Sequence, residues 1–556
     1  MKNDSQPSHE TLARLIPLAC GLGGMALLWL AQPPLAWWPL AWIAPLPWLW
    51  LVTRSELPGD RPYRMLWLAG VAYWLAMLNW IPMAHPLQYV NWLLLSGYLG
   101  VYLPLFVRVS RVAVHRLGVP LWVVAPVAWV ACDYAMAHVI TGISMATPAH
   151  SQLPWLAVVQ CVDWAGQYTL AFVMMLVAAA VGAALFARGW SRYAGLPVAA
   201  ATMVAVLGYG YAKLGEEVAG NRPTVRMALV QGNEPAVWEA DPDRDRRVVA
   251  QYRQLTQQAI ATANAAGQPI DFVLWPECMF RDVLFTYEAA ARNDPEHPVA
   301  QYEAQSQLPL RAMASETGAN LIVGLDRTRV LSLDESLPLR ERMQFHNSAA
   351  IVDRSGRLVD VFDKYHLVLM GEYLPFADWF PWVYEITPMA LGLTPGAGPV
   401  APEVEGVRIA PNICYESVLP HVVRRQVAAL AARGERPDVL ANLTNDSWFG
   451  DSHELDLHLA CNRMRAVELR TPVVVAANGG LSAHIDRCGR LLAVSGKQTA
   501  ETLIVDVAPG YGRSLYLAIG DWPAIGCLVV AMSLLLFGVF ERRTLNSGSR
   551  EKLQNQ

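Results

Sequence analysis

The sequence predicts two architectures in one chain: an α-helical membrane domain of about eight transmembrane helices, and a soluble α/β domain of layered sheets and helices. Three observations carry this. Of the 556 residues, 54% are apolar and only 16% are charged, against roughly 25% charged in an average soluble protein. Apolar segments follow one another up to about residue 212 and return near 515–540, each close to the about 20 residues that cross a bilayer. Between them, short β-rich runs alternate with polar, Ala-rich helical stretches, the pattern of sheets layered with helices. Tryptophan is abundant, at 21 residues, which suits a protein with two membrane interfaces. The net charge of −4 gives no sign of a nucleic-acid partner. Eight cysteines form neither a disulfide framework nor a Cys/His zinc spacing, so no metal is expected.

Taken in order, spans are expected near 12–32, 35–53, 65–84, 88–107, 118–134, 165–187 and 194–212, with an eighth over 515–540. The Pro-rich stretch 33–48 is where the second can break or re-enter. Arg54, Arg61 and Arg64 follow the second span, Arg108, Arg111 and Arg116 the fourth, and Arg188 and Arg192 the sixth. The intervening loops near 33–34, 85–87 and 135–164 hold no Lys or Arg. By the positive-inside rule both termini are cytoplasmic and the large block faces outside. The expected domains are 1–215 (about seven membrane helices), 220–510 (the outward α/β domain), 515–540 (a last membrane helix) and 541–556 (a cytoplasmic tail). Asp133, beside the fifth span, is a functional candidate by default; a place at the outer interface is the blander reading.

In the outer block, strands are expected at Val225–Gln231, Phe272–Trp275, Leu321–Gly324, Ala349–Val352, Val439–Leu443 and Val473–Ala477, and helices at 243–266 and 454–470. Cys414 closes an apolar run in Asn412-Ile413-Cys414-Tyr415-Glu416. A thiol attacks only as the thiolate, so it needs a base and a charge-stabilising group at the attacked carbonyl. Glu277, after Phe272-Val273-Leu274-Trp275-Pro276, would emerge at a strand end as that base. Lys364, in Asp363-Lys364-Tyr365, would supply the positive charge, helped by the backbone N–H after Cys414. Taken singly, each has a blander reading: a buried small hydrophobe, a capping carboxylate, a solvated lysine. His453 and His458 share no helix face well enough for a metal pair, so surface or capping roles are expected. Cys20, Cys132, Cys161 and Cys527 lie in or near spans and are expected to be buried, while Cys414 is expected to stay unpaired.

Order and context decide among these readings. Leu274-Trp275-Pro276-Glu277, Asp363-Lys364-Tyr365-His366-Leu367 and Ile413-Cys414-Tyr415-Glu416 resemble the three catalytic motifs of the nitrilase (carbon–nitrogen hydrolase) superfamily. With the flanking spans, the chain resembles the membrane-embedded branch of that superfamily, the apolipoprotein N-acyltransferases. Val230-Gln231-Gly232-Asn233, His346-Asn347-Ser348, Gly371-Glu372-Tyr373-Leu374-Pro375, Asn445-Asp446-Ser447-Trp448-Phe449-Gly450 and Arg463-Met464-Arg465-Ala466 agree with it.

The resemblance implies an α-β-β-α sandwich carried by eight membrane helices. It implies Glu277 as base, Lys364 as oxyanion stabiliser and Cys414 as nucleophile, with Glu372 beside them and Tyr415 and Glu416 shaping the nucleophile's turn. Trp238 matches a tryptophan on a mobile entrance loop, and Trp448 and Phe449 an apolar segment near the pocket. The implied reaction moves an acyl chain from a phospholipid, with phosphatidylethanolamine the expected donor, through a Cys thioester to the N-terminal amine of a diacylated apolipoprotein. No cofactor, no nucleic acid, a monomer, and a bacterial inner membrane with the catalytic domain in the periplasm are expected with it. The alternatives are a membrane-anchored nitrilase or amidase, or a non-catalytic lipid-binding relative. Three departures from the family pattern stand out: Cys278 after Glu277, Leu369-Met370 before Gly371-Glu372, and Pro411, which cannot donate a ladder hydrogen bond and suggests a bulge or an edge. The segments Trp379-Phe380-Pro381-Trp382-Val383 and Pro388-Met389-Ala390-Leu391 are candidates for arms that dip into the membrane interface.

Overall fold

A computed structural model describes residues 9–216, 223–238, 241–288, 299–375, 379, 382 and 392–554. The chain divides into two compact units. One joins Met1–Pro82, Tyr89–Gly215 and Ile519–Gln556; the other joins Met83–Gln88 and Glu216–Ala518.

The first unit is helical. Among the described residues five helices are long and apolar enough to cross a membrane: Ala13–Ala31, Gln88–Arg116, Leu121–His138, Gln167–Phe186 and Trp190–Gly215. Leu40–Thr53, Leu156–Ala165 and Trp522–Gly538 are apolar but shorter. The second expected span does break, into Leu40–Ile43 and Leu46–Thr53, where Pro45 cannot donate the helical hydrogen bond. The third stops early, the helix running Pro62–Met77.

The fourth runs on to Arg116, so Arg108 and Arg111 belong to the helix and not to the loop expected after it. Arg111 explains how: its guanidinium donates to the carbonyls of Leu51 (2.9 Å), Ser55 (3.0 Å) and Arg54. It thereby satisfies C-terminal carbonyls that the Leu46–Thr53 helix leaves open. Residues 135–164 are likewise more than a loop. Gln32 Nε2 donates to the carbonyl of Thr147 (2.9 Å), and Trp42 Nε1 donates to Gln152 Oε1 (2.7 Å). Asp133 lies within the Leu121–His138 helix and is buried. The last helix spans Trp522–Gln554, continuing through the stretch expected as a tail.

The second unit holds two six-stranded sheets. Its strands are β1 (Val225–Gln231), β2 (Phe272–Tyr287), β3 (Asn320–Val330), β4 (Met343–Val352), β5 (Leu358–Asp363), β6 (Glu403–Val404), β7 (Val407–Ile413), β8 (Val439–Asn445), β9 (Val473–Asn478), β10 (Ala483–Ile485), β11 (Leu491–Val494) and β12 (Glu501–Val507). The orders are β12-β1-β2-β3-β4-β5 and β11-β10-β9-β8-β7-β6. Each has a parallel centre, β1-β2-β3 in one and β7-β8-β9 in the other.

Side-chain alternation makes the layers. On β1, Met227 and Leu229 face inward with Phe272, Leu274 and Ile322, and meet Ile409, Leu443 and Val474 of the other sheet. Ala228 and Val230 face outward against Val248 and Tyr252 of the helix Pro242–Ala265 and Met313 of Leu308–Thr317. Across the second sheet, Ala410, Leu440 and Val473 pack on Val427 of Pro420–Ala432 and Ala466 of Glu454–Leu469. The result is helix, sheet, sheet, helix. Strands buried on both faces carry continuous apolar runs, which is why β1, β8 and β9 read so plainly in the sequence. Pro411 pairs with Ala441 on one side, while β6 covers only Val407 and Arg408 on the other. The proline therefore sits on an uncovered flank, as an edge position requires.

Candidate active site

Glu277 does not end its strand, as expected, but rides in an interruption of it. Trp275 pairs with Val323 and the next pairing is Phe280 with Leu325. Extra residues on one strand of a pair must bulge and re-aim their side chains. Gly324 faces this bulge, and a Cβ there would lie 2.3 Å from the Pro276 carbonyl and 2.6 Å from Glu277 Cα. Only a glycine lets the Glu277 backbone pass.

Lys364 follows β5 directly. Its backbone N–H donates to the Asn347 carbonyl (2.9 Å), and its side chain is 1% exposed. The ammonium sits between two carboxylates, donating to Glu372 Oε1 at 2.8 Å and to Glu277 Oε1 at 3.5 Å. Burial pulls the Lys364 pKa down, but Glu372 and Glu277 outweigh it and hold the group well above the ordinary lysine value. Glu372 is held in turn, its Oε2 accepting from the Val368 N–H at 2.8 Å.

Burial raises the Glu277 pKa, and the neighbouring Glu372 adds to this; Lys364, Asn347 and the Asn445 N–H pull the other way. Asn347 Nδ2 donates to Glu277 Oε1 (2.7 Å) and to Glu372 Oε1 (3.1 Å), and the Asn445 N–H donates to Glu277 Oε2 (2.9 Å). A carboxylate poised above its usual range is a better base at neutral pH.

Cys414 opens the turn Cys414–Val418 directly after β7, with φ +52°, a left-handed conformation that costs a non-glycine residue about 1–3 kcal/mol. Three side chains hold its carbonyl: Ser417 Oγ (3.1 Å), His458 Nε2 (3.1 Å) and Asn442 Nδ2 (3.3 Å). Glu416, fully buried, ties this turn to the lysine loop. It accepts from the N–H groups of Ile413 (2.8 Å), Tyr365 (3.0 Å) and His366 (3.1 Å). Tyr415 stacks on His366, ring centroids 6.4 Å apart. Burial, then Glu277, raise the Cys414 thiol well above its ordinary value while Lys364 lowers it. A thiol raised in this way keeps its proton at neutral pH, and acting as a nucleophile it would need a base. Among the described residues no disulfide is formed, and Cys414 is a thiol.

Trp238 and Trp448 meet with ring centroids 4.7 Å apart. Trp238 Nε1 also donates to the Ala84 carbonyl (2.8 Å), and His85 stands edge-on to its ring at 6.0 Å. Phe449 lies in the same short turn as Trp448, Asp446–Phe449. Gln88 Nε2 donates to the carbonyl of Met370 (2.7 Å), so the variant Leu369-Met370 pair is part of this contact. Cys278, φ +54°, donates from Sγ to Asp326 Oδ1 (3.3 Å). Trp379 and Trp382 are exposed; the other residues of the two candidate arms lie outside the described residues.

His458 is buried, which corrects the surface reading. Its Nδ1 faces Asp446 Oδ1 (3.0 Å) and its Nε2 faces Ser417 Oγ (2.9 Å) as well as the Cys414 carbonyl. Burial lowers its pKa, but Asp446 and Glu454 outweigh that and push it up to about 9. Asp446, Glu454 and His458 bring ligand-type atoms within 4.8 Å of one another. Both ring nitrogens of His458 are engaged within the protein, Nδ1 with Asp446 and Nε2 with Ser417 and the Cys414 carbonyl.

Two family descriptions match the chain: "Apolipoprotein N-acyltransferase N-terminal domain" over residues 24–180 and "Carbon-nitrogen hydrolase" over residues 226–516. An apolipoprotein N-acyltransferase of Rhodopirellula baltica is 31% identical over 538 residues, covering 90% of this chain and 93% of that one. The chain belongs to the apolipoprotein N-acyltransferase family. Its namesake in Geobacter metallireducens is 29% identical, covering 97% of this chain and 98% of that one. Among solved structures, an amidase of the nitrilase superfamily from Nesterenkonia covers 52% of this chain and 93% of its own, at 19% identity and a TM-score of 0.34.

The fold gathers Glu277, Lys364, Glu372, Glu416 and Cys414, which the sequence separates by up to 139 positions. It also brings in groups that were not picked as site residues. Asn347 carried a usable signal, since His346-Asn347-Ser348 is one of the resembling motifs. Asn442 and His458 carried none: each reaches the nucleophile's carbonyl only through the packing of its strand or helix.

Proposed function

We propose that this enzyme transfers an acyl chain from a phospholipid, phosphatidylethanolamine by expectation, to the N-terminal α-amine of the diacylglyceryl-cysteine of an apolipoprotein. Glu277 takes the Cys414 thiol proton, and the thiolate attacks the ester carbonyl of the phospholipid. Lys364 and the backbone N–H that follows Cys414 bear the negative charge on that oxygen. The intermediate collapses, the C–O bond breaks, and the lysophospholipid leaves with the proton held by Glu277. The acceptor amine, in its neutral form, then attacks the Cys414 thioester. Glu277 takes the amine's proton, the C–S bond breaks, and the thiolate recovers the proton as the amide is released. Donor and acceptor alternate at one site, which is ping-pong kinetics.

The observation that supports the reading is the buried cluster of Glu277, Lys364 and Glu372, two of which, Glu277 and Lys364, act on the Cys414 thiol, in a chain of this family. The membrane unit fits the substrate. Moving an acyl chain of about 16 carbons from lipid into water costs on the order of 10 kcal/mol, at about 0.8 kcal/mol per methylene. A site for such a chain belongs at the bilayer. On this reading the enzyme works as a monomer in the bacterial inner membrane with its catalytic unit on the periplasmic side, needing no cofactor.

The test is product identity. Purified enzyme is given phosphatidylethanolamine with a labelled acyl chain and a diacylated lipopeptide. Label on the peptide's α-amine, absent with Cys414→Ala, is the expected result. Label released only as free fatty acid would make the enzyme a hydrolase. Label on neither would leave a lipid-binding relative.

A further inference from the structure

The nucleophile's carbonyl oxygen accepts from three side chains at once, Ser417, His458 and Asn442. An oxygen has two lone pairs in the carbonyl plane, so this is an over-determined acceptor. One of the three donors differs from the others in being backed by a buried carboxylate, Asp446, on its far ring nitrogen. Asp446 is itself fixed, its Oδ1 accepting from Thr444 Oγ1 at 2.6 Å. The row Asp446, His458, Cys414 carbonyl therefore crosses from the end of β8, through the helix Glu454–Leu469, to the turn after β7. Both side chains in it are 3% exposed or less.

We infer that His458, held by Asp446, is a positioning residue that fixes and polarises the peptide between Cys414 and Tyr415, so that the N–H of this peptide meets the developing oxyanion. The Cys414 carbonyl and the Tyr415 N–H belong to one amide group. A donor on the carbonyl pulls electron density through that amide and strengthens the N–H as a donor, as hydrogen bonds in chains reinforce one another. A charged donor does this more strongly than a neutral one. The imidazolium is supported by Asp446, whose carboxylate faces its Nδ1 at 3.0 Å, while Glu277, Lys364 and Asp446 all act on the Cys414 thiol. Sterically, the same bond holds the left-handed turn that presents Sγ.

This rests on the proposed role of Cys414 as the acylated nucleophile, and the two can fail separately. His458→Gln keeps a neutral donor of comparable reach. Two rates are measured on the full-length enzyme in detergent: acyl transfer to the lipopeptide, and alkylation of Cys414 by iodoacetamide. Alkylation displaces iodide from a saturated carbon and forms no oxyanion, so it reports the thiol alone. In His458→Gln the acyl-transfer kcat is expected to fall about 10- to 100-fold, short of the loss of a whole oxyanion donor, with KM and the alkylation rate within about threefold of wild type. Equal losses in both reactions would overturn the inference in favour of simple displacement of the thiol. Unchanged acyl transfer would overturn it outright. If His458→Gln does not fold, Asp446→Asn is used: acyl transfer is expected to fall while alkylation rises, because the Asp446 charge also raises the Cys414 thiol, and a fall in both or unchanged acyl transfer would overturn the inference. Full acyl transfer by Cys414→Ala would instead remove the nucleophile assignment on which the inference stands.

Discussion

Replacing Asn347 by leucine keeps the branched shape, removes the amide that donates to two carboxylates and removes the acceptor of Cys278 Sγ (3.6 Å). In the wild type Asn347 Nδ2 donates to Glu277 Oε1 at 2.7 Å and to Glu372 Oε1 at 3.1 Å. A hydrogen bond to a charged group contributes about 1.5–3 kcal/mol, and this one favours the ionised form of Glu277. Its loss therefore raises the Glu277 pKa further, by about 1–2 units at 1.36 kcal/mol per unit. Glu277 must be ionised to take the Cys414 proton, so activity switches on as pH rises through that pKa. The acidic limb of kcat/KM should move up by the same 1–2 pH units. The bond between the Lys364 N–H and the Asn347 carbonyl survives the change, so the lysine loop stays in place. The assay is acyl transfer to a diacylated lipopeptide in mixed micelles from pH 5 to 9, with thermal unfolding at each pH. An Asn347→Leu enzyme of normal stability whose acidic limb stays put or moves down would refute the reasoning.

Glu372→Gln should shift the same limb the opposite way, to lower pH, because Glu372 is a like charge that raises Glu277; kcat falls at least about tenfold as the base weakens, and an upward shift would contradict this. Glu454 is raised by burial, with Asp446 adding, to about 8 from an ordinary 4.5, so the folded state holds a proton that the unfolded state releases, and stability falls as pH rises through that window. Glu454→Gln, a close mimic of the protonated acid, should match the wild-type melting temperature near pH 5 and exceed it near pH 8; parallel curves would rule this out. Trp238→Ala loses a hydrogen bond of about 1 kcal/mol and an aromatic pairing of about 0.5–1.5 kcal/mol. Amide hydrogen exchange in residues 232–238 should speed up about tenfold or more, and unchanged exchange would show that the Trp448 and Ala84 contacts do not hold this segment.

The strands that form the two sheet centres were the most legible part of the fold. Val225–Gln231 is the same seven residues as sequence and as β1, because a strand covered on both faces carries a near-continuous apolar run, here Met227–Val230. The β2 bulge was not legible: Trp275-Pro276-Glu277 reads as a strand end, and only the pairing with β3 shows that the strand resumes at Phe280. Short strands such as β6 and β10 are defined by their partners rather than by any run of their own. In the helical unit, Arg108 and Arg111 lie within the Tyr102–Arg116 helix rather than in the loop expected after it, because the Arg111 guanidinium reaches the carbonyls of Leu51 and Ser55. Glu277, Lys364, Cys414, Glu372 and Glu416 were readable because they sit in motifs with fixed neighbours. His458 was not, since a histidine in the middle of a helix looks the same whether it faces solvent or the back of a nucleophile's turn.

The central claim is that Cys414 carries the acyl group between two lipids. Enzyme mixed with labelled phosphatidylethanolamine and no acceptor is quenched in acid, digested and read by mass spectrometry, then chased with lipopeptide. One acyl chain is expected on the Cys414 peptide, removed by the chase at a rate no slower than turnover and recovered on the lipopeptide amine. An acyl chain on another residue that chases at that rate, or transfer at full rate with Cys414 never labelled, would contradict it.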